Sequence, residues 1–223
     1  MLISYSLLFL MLTPMGLSAL EQGTIVRMET PLGKIDIELF DDTAPQTVAN
    51  FLKYVNDGDY TNSFIHRSVP GLIIQGGGFT FVNNISAPIP ADPPVINEFN
   101  HSNIRGTIAM AKFPDDPDSA TSQWFFNLVD NSEALDTQNG GFTVFGQVIG
   151  DGMDVVDAID ALPVWPWVVG GAFTNLPLID YPGTGPVLEE NLVMIYRVFT
   201  LSIPSESFPW ELFYPAMQHR DKQ

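Results

Sequence analysis

The 223-residue chain has no cysteine. That excludes disulfides, a thiolate nucleophile and any zinc site built on sulfur. It says nothing about compartment, since a chain without thiols tolerates oxidising and reducing surroundings alike. Basic residues are also scarce. Nine Lys and Arg stand against 26 Asp and Glu, for a formal charge of −17. A nucleic-acid partner needs clustered Lys and Arg to meet phosphates, so none is expected; the acidic balance reads as a solvated surface. Three histidines, His66, His101 and His219, are far apart and lack metal-ligand spacing. Neither a metal nor a cofactor is expected. No G-x-S-x-G elbow is present, and the carboxylate spacing singles out no acid/base pair. Gly76-Gly77-Gly78 runs into Phe79-Thr80-Phe81 rather than a helix start, which makes it a poor phosphate cradle.

What the chain does have is apolar core material and punctuation. Hydrophobic residues make up 45% of it, with sixteen Phe, enough to bury a substantial core. Eighteen Gly and eighteen Pro are spread along the chain, as in a domain of short strands joined by many turns. No internal repeat or domain linker interrupts it. Met1 to Leu20 carries no charged side chain, centres on Leu7-Leu8-Phe9-Leu10-Met11-Leu12, and ends in the small residues Gly16, Ser18 and Ala19. Residues 1–19 therefore read as a signal peptide cleaved after Ser18 or Ala19, although a basic start is missing. An uncleaved anchor competes, but Pro14 and Gly16 break a short apolar core.

Ile35, Ile37 and Leu39 alternate with charged residues, which predicts a hairpin over 24–40 turning at Pro31-Leu32-Gly33. Val48, Phe51, Leu52 and Val55 then fall on one helical face. Asp42 or Thr43 is the expected cap and Gly58 the expected stop. Asn83 to Pro94, with four prolines, reads as loop. Strands are expected at 106–111, 123–129, 142–149 and 192–199, a second helix at 152–162, and a long Trp-, Pro- and Gly-rich connection at 163–186. Antiparallel strands with two separated helices fit a closed or nearly closed barrel capped at its ends. The tail, 201–223, is aromatic in its first half and is expected to dock on that barrel rather than form a domain.

One stretch concentrates chemistry: Phe64-Ile65-His66-Arg67-Ser68-Val69-Pro70-Gly71-Leu72-Ile73-Ile74-Gln75-Gly76-Gly77-Gly78-Phe79. A strong cation, a lone glutamine and a triple glycine sit in an apolar run, and the glycines allow close approach of another chain. His66-Arg67-x-x-Pro70-Gly71-x-x-x-Gln75-Gly76-Gly77 closely resembles the signature of the cyclophilin peptidyl-prolyl isomerases. Gly106 to Ala111, Ser122-Gln123-Trp124-Phe125-Phe126, Leu135-Asp136 and Val144-Phe145-Gly146 resemble four further segments of that family, in family order. The triple glycine and Ser119-Ala120-Thr121-Ser122-Gln123 look most like bacterial exported members. The likeness covers residues 24–200.

The resemblance implies a mainly β fold, a closed eight-stranded antiparallel barrel with a helix at each end; a monomer is expected. It implies proline-containing unfolded or exported polypeptides as partners; with the N-terminal stretch, the expected address is exported, periplasmic in a Gram-negative host or otherwise secreted. Arg67 matches the family's catalytic arginine and Gln75 the glutamine that orients it. Leu72, Ile73, Phe125, Leu135 and Phe142 match the pocket for the substrate proline. Met110, Ala111, Lys112 and Gln123 match the substrate-binding rim, and His66 a structural and binding position beside the arginine. There are departures. Leu72-Ile73 replaces the usual Phe-Met pair, and Phe142 stands where His or Tyr is common. Ala134 replaces the tryptophan of cyclosporin-sensitive members, so weak cyclosporin binding is expected from the lost indole area and N–H.

The physics is consistent with that role. Rotation about an X-Pro bond has a barrier of about 20 kcal/mol and takes tens of seconds or longer. Twisting breaks amide resonance and makes the prolyl nitrogen a better acceptor, so a fixed guanidinium favours the twisted state over either planar one. Such a hydrogen bond contributes about 1.5–3 kcal/mol, one to two decades of rate. The rest must come from holding the ring in a dry pocket. Taken alone, Arg67 reads as a solvated strand residue or ion-pair partner, and Phe125 as ordinary core. The alternative within the family likeness is a proline-gripping module or holdase with little turnover.

Overall fold

The computed structural model describes residues 23–166 and 173–202. The expected signal peptide, and the tail beyond Ser202, lie outside the described residues.

The chain opens with β1 (Ile25–Thr30), β2 (Gly33–Leu39) and α1 (Pro45–Asp57). Short strands follow: β3 (Ser63–Phe64), β4 (Arg67–Val69), β5 (Ile73–Gly76), β6 (Phe79–Val82), β7 (Ile85–Pro88), β8 (Thr107–Met110) and β9 (Trp124–Asn127). Then come α2 (Ser132–Leu135), β10 (Val144–Ile149) and α3 (Gly152–Asp160). The last strands are β11 (Val164–Trp165), β12 (Leu176–Pro177), β13 (Met194–Ile195) and β14 (Arg197–Thr200).

Eight strands form one antiparallel sheet in the order β14-β1-β2-β10-β8-β9-β5-β4. The closed barrel expected from the sequence is not what forms: the sheet is curled but open, a half-barrel whose edge strands β14 and β4 do not pair. The reason lies in the segments just before each edge strand. Met194 pairs with Phe64 and Ile195 with Ser63, so β13 and β3 belong to a second sheet, β13-β3-β6-β7. The chain leaves one sheet for the other at Tyr196 and at Ile65-His66, and the ladder that would close a barrel is split between the two.

The main core lies against one face of this sheet. Ile35, Ile37 and Leu39 of β2, Ile108 and Met110 of β8, and Trp124 and Phe126 of β9 are buried in it. Both expected helices press their apolar faces into it, α1 through Val48, Phe51 and Val55, and α3 through Val156 and Ile159. Gly58 ends α1 in the left-handed region at φ 79°, where its N–H returns to the Val55 carbonyl. The start differs from expectation. Ala44, not Asp42 or Thr43, occupies the cap position and makes no side-chain cap. The Glu98 carboxylate instead accepts the N–H groups of Gln46 at 3.2 Å and Thr47 at 2.7 Å, a cap reaching in from a distant loop.

Residues 83–94 are also not all loop. Asn83 and Asn84 both adopt positive φ, 53° and 61°, the geometry of a two-residue hairpin turn, and join β6 to β7. The Pro-rich composition hid that turn. The triple glycine has a packing reason. A Cβ on Gly76 would lie 2.7 Å from the Trp124 ring, and one on Gly77 (φ 74°) would lie 2.4 Å from the Ser122 carbonyl. The close approach expected there is made against a fully buried tryptophan.

Candidate active site

Strand register builds the site. Arg67 pairs with Gln75 across β4–β5, Gln75 with Phe125 across β5–β9, Phe125 with Ala109 across β9–β8, and Ala109 with Val144 across β8–β10. Residues opposite one another point to the same side, so this row runs from a cation through an amide to apolar groups. One step along, Val69 faces Ile73. Ile73, Ala109, Phe125 and Val144 form a buried cluster separate from the main core, with Phe40, Val69, Ala111, Leu135 and Phe142 packed against it. Phe125 and Phe142 meet edge-to-face, centroids 5.7 Å apart.

The polar end is tied down. Arg67 Nη1 donates to Gln75 Oε1 at 3.2 Å, and Gln75 Nε2 donates to Gln123 Oε1 at 2.8 Å. Arg67 is half-buried, and burial lowers its pKa, yet a guanidinium keeps its proton. Further N–H donors remain beyond the one spent on Gln75. His66, just before it, is fully buried. Burial, then the neighbouring Arg67 charge, push its pKa down to about 4, with the Gln123 amide opposing. Neither ring nitrogen makes a hydrogen bond of good geometry, and the ring stands edge-on to Phe79 at 5.1 Å.

A groove of about 220 Å³ adjoins Gln75 and Gln123, lined also by Ala111, Lys112, Phe113, Ser119 and Thr121. Lys112 Nζ is held by the carbonyls of Asn139 and Gly141 at 2.8 and 2.7 Å, 5.0 Å from the centre of the Phe142 ring. Burial lowers its pKa.

The structure thus gathers Arg67, Gln75, Gln123, Ile73, Phe125, Leu135, Phe142, Ala111 and Lys112 around one surface. Three expected residues sit apart from it. His66 is fully buried behind Arg67, its ring against Phe79. Leu72 is 42% exposed on the β4–β5 turn and lies outside the apolar cluster. Met110 is one step out of phase with Ala109 and Ala111, so its side chain enters the main core. Phe40, Val69, Ala109 and Val144 join the patch without having been singled out. Strand alternation from Arg67 would have found Val69. Phe40 carries no local signal, because its neighbours in the patch are distant in sequence.

A buried asparagine trio escaped sequence reasoning altogether. Asn127 Nδ2 donates to Asn103 Oδ1 and Thr107 Oγ1, and Asn131 Nδ2 donates to Asn127 Oδ1 and the Leu72 carbonyl. Asn103 Nδ2 in turn donates to the Phe142 carbonyl at 3.1 Å. Together they tie the β4–β5 turn, at the Leu72 carbonyl, to the patch residue Phe142. Among the described residues no group of three or more His, Asp or Glu is placed to hold a metal ion, and no helix is long and apolar enough to cross a membrane.

The arrangement defines a class: a mainly β domain in which a fixed guanidinium borders an apolar aromatic patch, suited to non-covalent work on an extended chain. Residues 25–169 match the family model described as cyclophilin type peptidyl-prolyl cis-trans isomerase/CLD. A peptidyl-prolyl cis-trans isomerase of Acinetobacter baylyi is 42% identical over 158 residues, 70% of this chain and 80% of that protein. Peptidyl-prolyl cis-trans isomerase B of Escherichia coli is 46% identical over 143 residues, 60% of this chain and 83% of that protein. In fold, the chain is similar to a crystal structure of a cyclophilin type isomerase from Cryptosporidium parvum. That match has a TM-score of 0.59 and 22% identity, over 81% of this chain and 99% of the other. The chain belongs to the cyclophilin-type peptidyl-prolyl cis-trans isomerase family.

Proposed function

We propose that this family member accelerates X-Pro rotation in unfolded polypeptides by donating a hydrogen bond from Arg67 to the prolyl nitrogen. The observation that carries the reading is the single row in which Arg67, braced by Gln75, ends beside Ile73, Phe125 and Phe142. In this reading the proline ring rests on that apolar patch, and the backbone on either side follows the rim at Ala111, Lys112 and Gln123. The prolyl nitrogen then lies within reach of the guanidinium. In a planar amide its lone pair is delocalised and the donor gains little. As the bond twists the lone pair localises and the hydrogen bond strengthens, which is differential binding of the transition state. Atoms and charges are conserved: no bond is made or broken, and the arginine keeps its protons. The surroundings that partly desolvate Arg67 also strengthen this interaction.

A protease-coupled assay on short X-Pro peptides tests it. Turnover by the wild type with a large loss in Arg67→Ala is expected. Peptide binding with no turnover would instead favour the gripping module. We also read the chain as exported: the uncharged, Leu-rich stretch before Glu21 has the layout of a secretory signal. N-terminal sequencing of the mature protein from a bacterial host checks this, and an intact Met1 start would overturn cleavage.

A further inference from the structure

The long connection at 163–186 has no role in the reading above, yet it returns to the arginine strand. β4 is only three residues long and forms the edge of the eight-stranded sheet. A short edge strand paired on one side alone is prone to fray. Here its outer side is not bare. The Ser68 N–H donates to the Asn175 carbonyl at 2.7 Å, and β12 runs beside β4.

The same segment is anchored from beneath. Leu176 and Leu178 are buried in a second apolar cluster with Phe64, Phe81, Val187, Leu192 and Met194. Phe173 stacks on Phe64 with centroids 6.0 Å apart and 16° between planes, and lies 4.7 Å from Phe79. Phe79 in turn meets His66 edge-on at 5.1 Å. Neither ring nitrogen of His66 makes a hydrogen bond of good geometry, so its place depends largely on packing against Phe79. A continuous path of packed rings thus runs from Phe173 to the residue preceding Arg67.

We propose that Phe173 to Leu178 is a positioning element for the reaction: it covers the free edge of β4 and, through Phe173, Phe79 and His66, fixes the backbone from which Arg67 projects. Phe173 is a positioning residue and touches no substrate. The inference rests on the reading of Arg67 as the donor to the prolyl nitrogen. A donor displaced by about 1 Å can lose up to a hundredfold in rate, so small slack at β4 matters. The apolar patch of Ile73, Phe125, Leu135 and Phe142 is a separate cluster and should hold its shape when this segment is loosened.

The test is peptide turnover together with amide exchange on the full mature chain. In the wild type, Ser68 should exchange as slowly as its cross-strand partner Ile74. Phe173→Ala should lower kcat about tenfold while KM stays within about twofold, with Ser68 exchange accelerating selectively. Phe173→Leu should restore most of both. Fast Ser68 exchange in the wild type would overturn the proposal without any variant needing to fold. So would Phe173→Ala with a lowered Tm and unchanged kcat, since that is a purely structural role. Arg67→Ala, run in parallel, separates the two levels: if it keeps full turnover the arginine reading fails, whereas a dead Arg67→Ala beside a fully active Phe173→Ala sinks only the positioning role.

Discussion

Arg67 and Gln75 are direct cross-strand partners, and their side chains are joined by a hydrogen bond of 3.2 Å from Nη1 to Oε1. An amide orients the guanidinium without neutralising it, and its own N–H is passed on to Gln123 at 2.8 Å. Arg67→Ala should therefore lower kcat by about 10- to 100-fold with little change in KM, the value of one charge-assisted hydrogen bond. Arg67→Lys should fall nearly as far, because an ammonium on a flexible stem cannot be braced in the same plane. Gln75→Ala should cost less, roughly three- to tenfold, through lost orientation alone. Steady-state kinetics on one peptide decides this; a KM effect with constant kcat in Arg67→Ala would contradict the donor role.

The apolar half should respond in the opposite sense. Phe125 is buried and contacts Phe142 edge-to-face, and in the proposed function it is the floor against which the proline rests. Phe125→Ala removes that floor and should raise KM severalfold, with some loss of stability from the cavity. Ala134 is exposed on α2 beside Leu135. Ala134→Trp adds aromatic area and an N–H at the edge of the same patch, and should tighten cyclosporin binding about tenfold by calorimetry. Unchanged affinity would mean that this position does not border the inhibitor surface.

The layout of the candidate site was largely readable because strand alternation and a short signature act locally. His66, Arg67, Gln75 and Phe125 lie in segments whose period fixes which way each faces. What the sequence could not show depends on distant partners. Leu72 is carried out on a turn, although its place in the signature suggests the pocket. Met110 points inward because the phase of β8 is set by its neighbours. Barrel closure failed for a similar reason: the bends at Ile65-His66 and at Tyr196 divert β3 and β13 into a second sheet, and no local pattern announces a bend. The Asn103-Asn127-Asn131 trio spans three separate segments and looks like ordinary loop polarity in the sequence.

The start of α1 gives a stability prediction that sequence patterns would have assigned to the wrong residue. Glu98 accepts two backbone N–H groups and the Thr47 hydroxyl, while Asp42 and Thr43 contribute no cap bond. Glu98→Ala should destabilise the fold by about 1–2 kcal/mol, the usual range for losing an N-terminal cap. Thr43→Ala should cost less, since its exposed hydroxyl meets the His101 ring and no helix N–H. Urea unfolding at neutral pH measures both, and equal losses would argue against the remote cap.

His66 makes stability depend on pH in a definite direction. Its folded pKa is depressed to about 4 from an ordinary value of 6.5, by burial first and the Arg67 charge second. Arg67 is the charged group acting on it, and the other packed neighbours, Phe79 and Gln123, do not titrate. Between these two pH values the unfolded chain binds a proton that the folded chain refuses, so the unfolded state gains as pH falls. The contribution is whole above pH 6.5 and is lost progressively down to about pH 4. Over that window it amounts to roughly 3 kcal/mol at about 1.4 kcal/mol per pH unit. His66→Gln removes the titrating group, so its unfolding free energy should fall less steeply than that of the wild type between pH 6.5 and 4. Denaturant unfolding at several pH values reads the difference, and parallel slopes for the two proteins would show that His66 titrates normally.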